Sequence, residues 1–538
     1  MTKGSSMLLP ESRLYLHKTD SMKKIGIYIL LLLSVILSGC SQDLGNYEYT
    51  ELEDPGITGI EELSVLMFSH MRIEPRFSED FDRAKYSFEW KVLEISGTQE
   101  PVIIGNSAVL DYDVTLGPGT YQLFFTVTDS ESQIYWQKEA VLTVSSSTSE
   151  GWMVLCSDDG RARLDFISDV TGETIRDILA SGDMPVLHGP RKIQWLSDKT
   201  DASSPYYLLT DEGATRLGKD AFEWKPEYDF SYEAAVQEKL LPHSIVSAGF
   251  GKVTVSQGKA YYCEVMGFDG LYGSAVNKNF RVSEYVGANV LATQVYAAVY
   301  LLYDIDSKRL MAFCPLLATN DLGAQETLMD MDSFADIADG MNPGNGVLGN
   351  SFDVWPEGYD CMYMENTRYD PGNARMGMTY VMLTDGSKCL LYGIQLGDLL
   401  CYADCTYVMG KGGFAELTGC KDILKEGNLF AFSSLKNYMY YASGSNVYRV
   451  DLSGSPVREE LQFSLDGEKI TCLKFNLYQN EENHHRSYDL IVASDRDGEG
   501  ILRVYDGMTH DGDFRDVTPA VYDGFAEIRD VTYKERIY

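Results

Sequence analysis

Hydrophobic and polar positions along this chain fall into two regimes. In the first, residues 55–148, they alternate. Tyr86, Phe88 and Trp90 are interleaved with Ser87, Glu89 and Lys91, the period of two expected of a half-buried strand. Tyr121, Leu123, Phe125 and Val127 repeat the pattern within GPGTYQLFFTVTD, Gly117 to Asp129, where a Gly-Pro-Gly turn feeds the strand. Ala140 to Val144 adds a closing strand. Alternating strands without a helical period predict a small β-sandwich. The region holds no Cys, so a buried Trp90 is the expected anchor between its sheets.

The second regime starts after the linker SSSTSE, Ser145 to Glu150, and spans 149–538. Here one unit recurs: an apolar strand, a Gly- or Asp-containing turn, and a second apolar strand. Hairpins begin at Gly151, Tyr206, Val253, Tyr300, Thr379, Tyr438 and Tyr488. Their spacing of mostly about 45–60 residues matches four-stranded propeller blades of degenerate sequence. The expected fold is all-β: a PKD/immunoglobulin-like sandwich followed by a β-propeller-like domain of seven blades. Six or eight blades stay open because the interval from Tyr300 to Thr379 is long. An irregular pair of β-sandwiches is the competing arrangement. That long interval, about 318–378, reads as an insertion. It holds a predicted helix from Glu326 to Met341, then a Gly/Asn/Pro-rich loop with Trp355, Tyr359, Tyr363 and Tyr369. Long propeller insertions often carry binding, so these four aromatics are candidate ligand-binding residues. The plainer alternative is that they pack the insertion onto the blades.

The N-terminal pattern differs from both regimes. Lys23 and Lys24 precede apolar residues from Ile25 to Leu37, and Leu37-Ser38-Gly39-Cys40 follows. This order of charged, apolar and small residues reads as a secretory signal, and the Cys makes it a lipoprotein signal with Cys40 as the lipidation site. The apolar run falls short of the ~20 residues that span a bilayer. Several acyl chains on one Cys anchor a protein stably. Met22 is the more natural start, so the first 21 residues read as a start-site artefact. Residues 1–39 are expected to be removed, leaving 40–54 as a lipidated tether.

Composition narrows the partners. The formal charge is −35. Residues 1–39 hold five Lys/Arg and two Asp/Glu, so removing their net +3 leaves about −38. Nucleic acid is excluded as a partner, since it requires a basic footprint. Of ten Cys, Cys40 takes the lipid and nine remain. No CxxC spacing suggests zinc. Cys263, Cys314 and Cys389 lie in apolar runs and read as buried thiols. Cys401 and Cys405 are the one close pair and could bridge only across a turn.

Several segments carry a family likeness: GNYEYTE at Gly45 to Glu51, YSFEW, the GPGTYQLFFTVTD strand, GWMVLCSDDGRARLDFIS and the closing IRDVTYKER. The chain resembles the PKD-like family of lipoproteins found beside Sus-type outer-membrane nutrient importers, most strongly from Gly45 to Ser168. The resemblance implies a PKD-like domain, a propeller-like region and an outer-membrane lipoprotein exposed at the cell surface. It also implies partnership with a TonB-dependent transporter and its SusD-like lipoprotein in capturing a glycan or peptide nutrient. It carries over no catalytic residue. Asp43 is the lone acid beside Cys40, which leaves the membrane leaflet open.

Catalytic motifs are sparse. HExxH and GxSxG do not occur. Ser433 and Lys436 match SxxK within an expected blade turn. His484 and His485 are neighbours, which on a strand would point to opposite faces. Asp495, Asp497 and Glu499, with Gly500 sixth and Asp506 twelfth, resemble a calcium loop. An ordinary Asp-Gly hairpin turn is the alternative, and calcium is the one cofactor the pattern allows. The expectation is a non-catalytic binding lipoprotein. A polysaccharide hydrolase or lyase using carboxylates, and a structural subunit of the transporter, are the alternatives.

Overall fold

The computed structural model describes residues 54–536, except 68, 96–99, 182, 197–205, 220–221, 250, 265–269, 292–298, 314, 316–327, 331–354, 372–376, 402–405 and 479. The signal, Cys40 and Cys405 lie outside the described residues. Two units are distinguished: Met1–Thr58 with Arg76–Asp82, and Gly59–Pro75 with Arg83–Tyr538. In the small unit Thr58 and Arg76 exchange backbone hydrogen bonds of 2.9 Å, and the Phe77 and Phe81 rings stack at 4.4 Å.

The alternating region forms two sheets. The larger has the order Leu63–Leu66, Tyr135–Ser145, Gly119–Asp129, Tyr86–Glu94 and Val102–Gly105; the smaller pairs His70–Ile73 with Leu110–Asp113. Tyr121, Leu123, Phe125 and Val127 are all buried while their neighbours are half-buried, as the period of two requires. Trp90 is fully buried. Its ring lies 4.2 Å from that of Phe125, and its Nε1 donates to the Ser107 carbonyl at 2.9 Å. It therefore fills the role that a disulfide holds in related sandwiches.

From Gly151 onward the strands among the described residues form seven successive sheets. The innermost strand of the first is the last of the chain, Glu527–Lys534, which pairs antiparallel with Gly151–Asp158 so that Val531 faces Val154. The other inner strands are Pro190–Trp195, Ile245–Ala248, Val282–Ala288, Asp360–Thr367, Leu429–Phe432 and Lys469–Phe475. Each neighbours the next, and Lys469–Phe475 returns to Glu527–Lys534. This is a seven-bladed propeller, closed by strand exchange between the two ends of the repeat region.

Apolar clusters fill every gap between successive sheets. Leu155 packs with Leu208, Tyr207 with Tyr261, Val253 with Tyr300 and Leu301 with Val381. The series continues with Tyr380 and Tyr441, Tyr440 and Leu490, and Ile491 and Val531. A blade strand is thus covered on both faces, which explains why its sequence is a continuous apolar run rather than an alternating one. Tyr206–Thr210 and Tyr300–Asp304 are buried at every position. Gly151 opens the first blade at φ +147°, where a Cβ would stand 2.0 Å from the Ile167 carbonyl oxygen.

The long interval between hairpins differs from its expectation. Leu328–Asp330, within the predicted helix, is a strand paired with Met311–Phe313; the rest of that helix lies outside the described residues. Asp360–Thr367 is the inner strand of the fifth blade, so much of the presumed insertion belongs to the blades. Its half-buried pattern and a register shift between Cys361 and Tyr363 hide it from a search for apolar runs.

Candidate ligand-binding channel

The inner strands leave one edge unpaired around the propeller axis, and polar side chains satisfy it. Gln194 accepts from the Ile245 N–H at 2.9 Å and donates to its carbonyl at 3.2 Å. Asn366 accepts from the Ala288 N–H at 2.8 Å and donates to the Val286 carbonyl at 2.9 Å. The Asp530 carboxylate accepts from the Ile193 N–H at 3.0 Å, and Glu365 from that of Phe432 at 3.2 Å. These residues bind each blade to its neighbour.

The same edges surround a cavity of about 1340 Å³ to which all seven inner strands contribute. Lys192 of the second blade, Glu365 of the fifth, Lys474 of the seventh and Asp530 of the first lie on its wall, which Arg368, Arg529 and Arg536 also line. The Lys474 ammonium lies 2.8 Å from the Asp530 carboxylate. Burial alone would lower its pKa, but that carboxylate outweighs burial and the net shift is upward. Burial pushes the Glu365 carboxyl up to about 7, against the pull of a hydrogen bond from the Tyr363 hydroxyl at 2.9 Å and of both lysines. Lys192 is shifted downward, first by burial and then by the Lys474 charge. Burial raises the Cys472 thiol to about 12, which leaves it protonated and a poor nucleophile.

The sequence candidates are dispersed. Trp355 is only 4% exposed and packs between the fourth and fifth blades, 4.7 Å from the Tyr392 ring. Tyr359 packs against that same cluster, whereas Tyr363 and Tyr369 pack against the cluster between the fifth and sixth blades. The four rings therefore lie on two faces of one sheet. Only Tyr363 among them lines the cavity.

The calcium-like spacing does not form a loop. Asp497 and Gly498, at φ +54° and +91°, make a tight hairpin turn, with the Gly498 N–H on Asp495 at 3.1 Å. Asp506 lies beyond the far end of the strand Glu499–Tyr505, where it accepts from the Met508 and Thr509 N–H groups. Glu499 accepts instead from the Gly524 N–H at 3.1 Å. A strand of seven residues holds the first and last carboxylates apart by roughly 23 Å, far beyond a shared ion. Among the described residues, no group of three His, Cys, Asp or Glu is placed to hold a metal. Six described cysteines are free thiols. Ser433 accepts from the Leu435 and Lys436 N–H groups, which makes SxxK a turn device. His484 and His485 sit in the 3-10 turn Glu481–Tyr488.

Sequence reading overlooked Lys192, Glu365, Lys474 and Asp530. The available signal was a lone charge inside a strand-like run, as in CLKF and EIRDV. Asp530 also falls within the IRDVTYKER segment.

Residues 40–184 match the model of the PKD-like family, a span covering Cys40, the sandwich and the first hairpin of the propeller. No curated protein matches the chain in sequence. Among solved structures, a quinonprotein alcohol dehydrogenase-like protein from Bacteroides thetaiotaomicron is similar at 11% identity and TM-score 0.39, with 88% of this chain and 96% of that one covered. A DUF4784 family protein from Bacteroides caccae is similar at 11% identity and TM-score 0.29, with coverage of 89% and 98%. The WD40 domain of SCAP from fission yeast is similar at 8% identity and TM-score 0.31, with coverage of 62% and 72%.

Proposed function

We propose that this protein is a non-catalytic, lipid-anchored binding protein of the cell envelope whose propeller channel holds a nutrient ligand. In this reading Cys40 carries the anchor, the sandwich is a spacer or docking platform, and the partner is a TonB-dependent importer of the Sus type with its SusD-like lipoprotein. The ligand is a glycan or a peptide. The observation that carries the reading is the cavity of about 1340 Å³ at the propeller axis. It exceeds the ~300–1,000 Å³ of typical small-molecule sites, and it mixes aromatic rings with hydrogen-bonding groups. The PKD-like match over residues 40–184 supports the family context.

Calorimetry of the lipid-free mature chain against glycan and peptide panels tests it. Stoichiometric binding without product is expected, and Ser247→Trp, which fills part of the cavity lining, is expected to weaken it at least tenfold. Failure to bind any ligand, or binding untouched by Ser247→Trp, removes the channel as the site. Co-purification with the importer tests the partnership. The competing hydrolase reading draws on Glu365 and Asp530 in one cavity. Turnover of a polysaccharide, lost in Glu365→Gln, would establish that reading instead.

A further inference from the structure

We propose that the channel recognises its ligand by a carboxylate, bound at the Lys192 ammonium. The inference rests on the channel's being the binding site, and it names the chemistry of the ligand.

Lys474, Asp530 and Glu365 already have structural partners. Lys474 is paired with Asp530 at 2.8 Å, Asp530 also holds the Ile193 N–H, and Glu365 holds the Tyr363 hydroxyl and the Phe432 N–H. The Lys192 side chain makes no hydrogen bond or ion pair among the described residues, while its backbone pairs with Leu209 and its strand edge is served by its neighbours Ile193 and Gln194. Lys192 is half-buried on the cavity wall, so its ammonium stays within reach of a ligand there. Holding the blades together does not account for it, and an anionic ligand does.

The lining also holds Arg368, Arg529 and Arg536, so its cationic side chains outnumber the carboxylates Glu365 and Asp530 and the wall favours an anion; in a glycan or peptide ligand that anion is a carboxylate. In a chain of formal charge −35, such a site is also selective, because an acidic ligand gains little elsewhere on the surface.

Two sources carry this group: a uronic-acid oligosaccharide and an acidic peptide. Calorimetry would compare trigalacturonate with galactotriose, and a glutamyl dipeptide with its glutaminyl counterpart. At least one acidic probe is expected to bind tenfold or more tightly than its neutral partner, and whichever it is identifies the source. Lys192→Met is expected to abolish that preference, whereas Lys388→Met, on an exposed hairpin turn, leaves it intact. Raising NaCl from 50 to 500 mM should weaken acidic binding at least threefold in the unaltered protein and leave neutral binding unchanged; this decides the matter even if the Lys192 variant misfolds. Equal binding of acidic and neutral probes, or a preference that survives Lys192→Met, overturns the proposal. Binding of neutral probes alone overturns it while the channel keeps its binding role. Silence from every glycan and peptide removes both.

Discussion

Glu365 shows how one side chain couples the channel to stability. Its carboxyl ordinarily ionises near 4.5 and is raised by burial to about 7. As pH rises from 4.5, the unfolded chain releases this proton before the folded one does. Stability contributed by Glu365 therefore falls between about pH 4.5 and 7 and is level above and below that window. The shift corresponds to at most ~3.5 kcal/mol. Glu365→Gln removes the effect, so its melting temperature should exceed that of the parent protein at pH 8 and match it at pH 4. Equal melting curves at both values would show that Glu365 keeps water contact and an ordinary pKa. Nothing in MYMENT announces this environment; it arises because the Phe432 N–H, Lys192 and Lys474 approach from other blades.

The strands themselves were largely legible. In the sandwich, the period of two placed Trp90 and the run Tyr121 to Val127 on the buried face, where they lie. In the propeller, seven apolar hairpins correspond to seven sheets, because a blade strand buried on both faces must be apolar throughout. The inner strands were harder to see. Asp360–Thr367 is largely half-buried and carries Glu365 on the channel wall, so its sequence reads as part of an insertion. The closing strand Glu527–Lys534 carries a further expectation. It supplies Ile528, Val531 and Tyr533 to the cluster between the seventh and first blades, each worth about 1.5–3 kcal/mol when buried. Their sum rivals the whole stability of a typical domain, ~5–15 kcal/mol. A chain ending at Ala526 should lose its cooperative unfolding transition and become sensitive to limited proteolysis across the first and seventh blades. A truncated chain that melts like the intact protein would rule out ring closure as the stabilising device.

At the level of the whole molecule, the anchor, the sandwich and the propeller answer to different parts of the chain. The lipid expectation rests on Leu37-Ser38-Gly39-Cys40, and among the described residues no helix is long and apolar enough to cross a membrane. Cys40→Ser should move the protein from the membrane to the soluble fraction, or leave an uncleaved precursor, and should abolish labelling with a radioactive fatty acid. Retention of the label would place the lipid elsewhere. Local physics explains why so much could be read in advance: a signal pattern, an alternating period and an Asp-Gly hairpin are each written within about ten neighbouring residues. The channel is not local. Lys192, Glu365, Lys474 and Asp530 belong to four blades far apart in the chain, and they meet only because the last strand pairs with the first blade and closes the ring. Hydrophobic pattern settled which segments become strands; closure of the ring settled which charges face one another, because burial and Coulomb interaction depend on distance in space rather than along the chain.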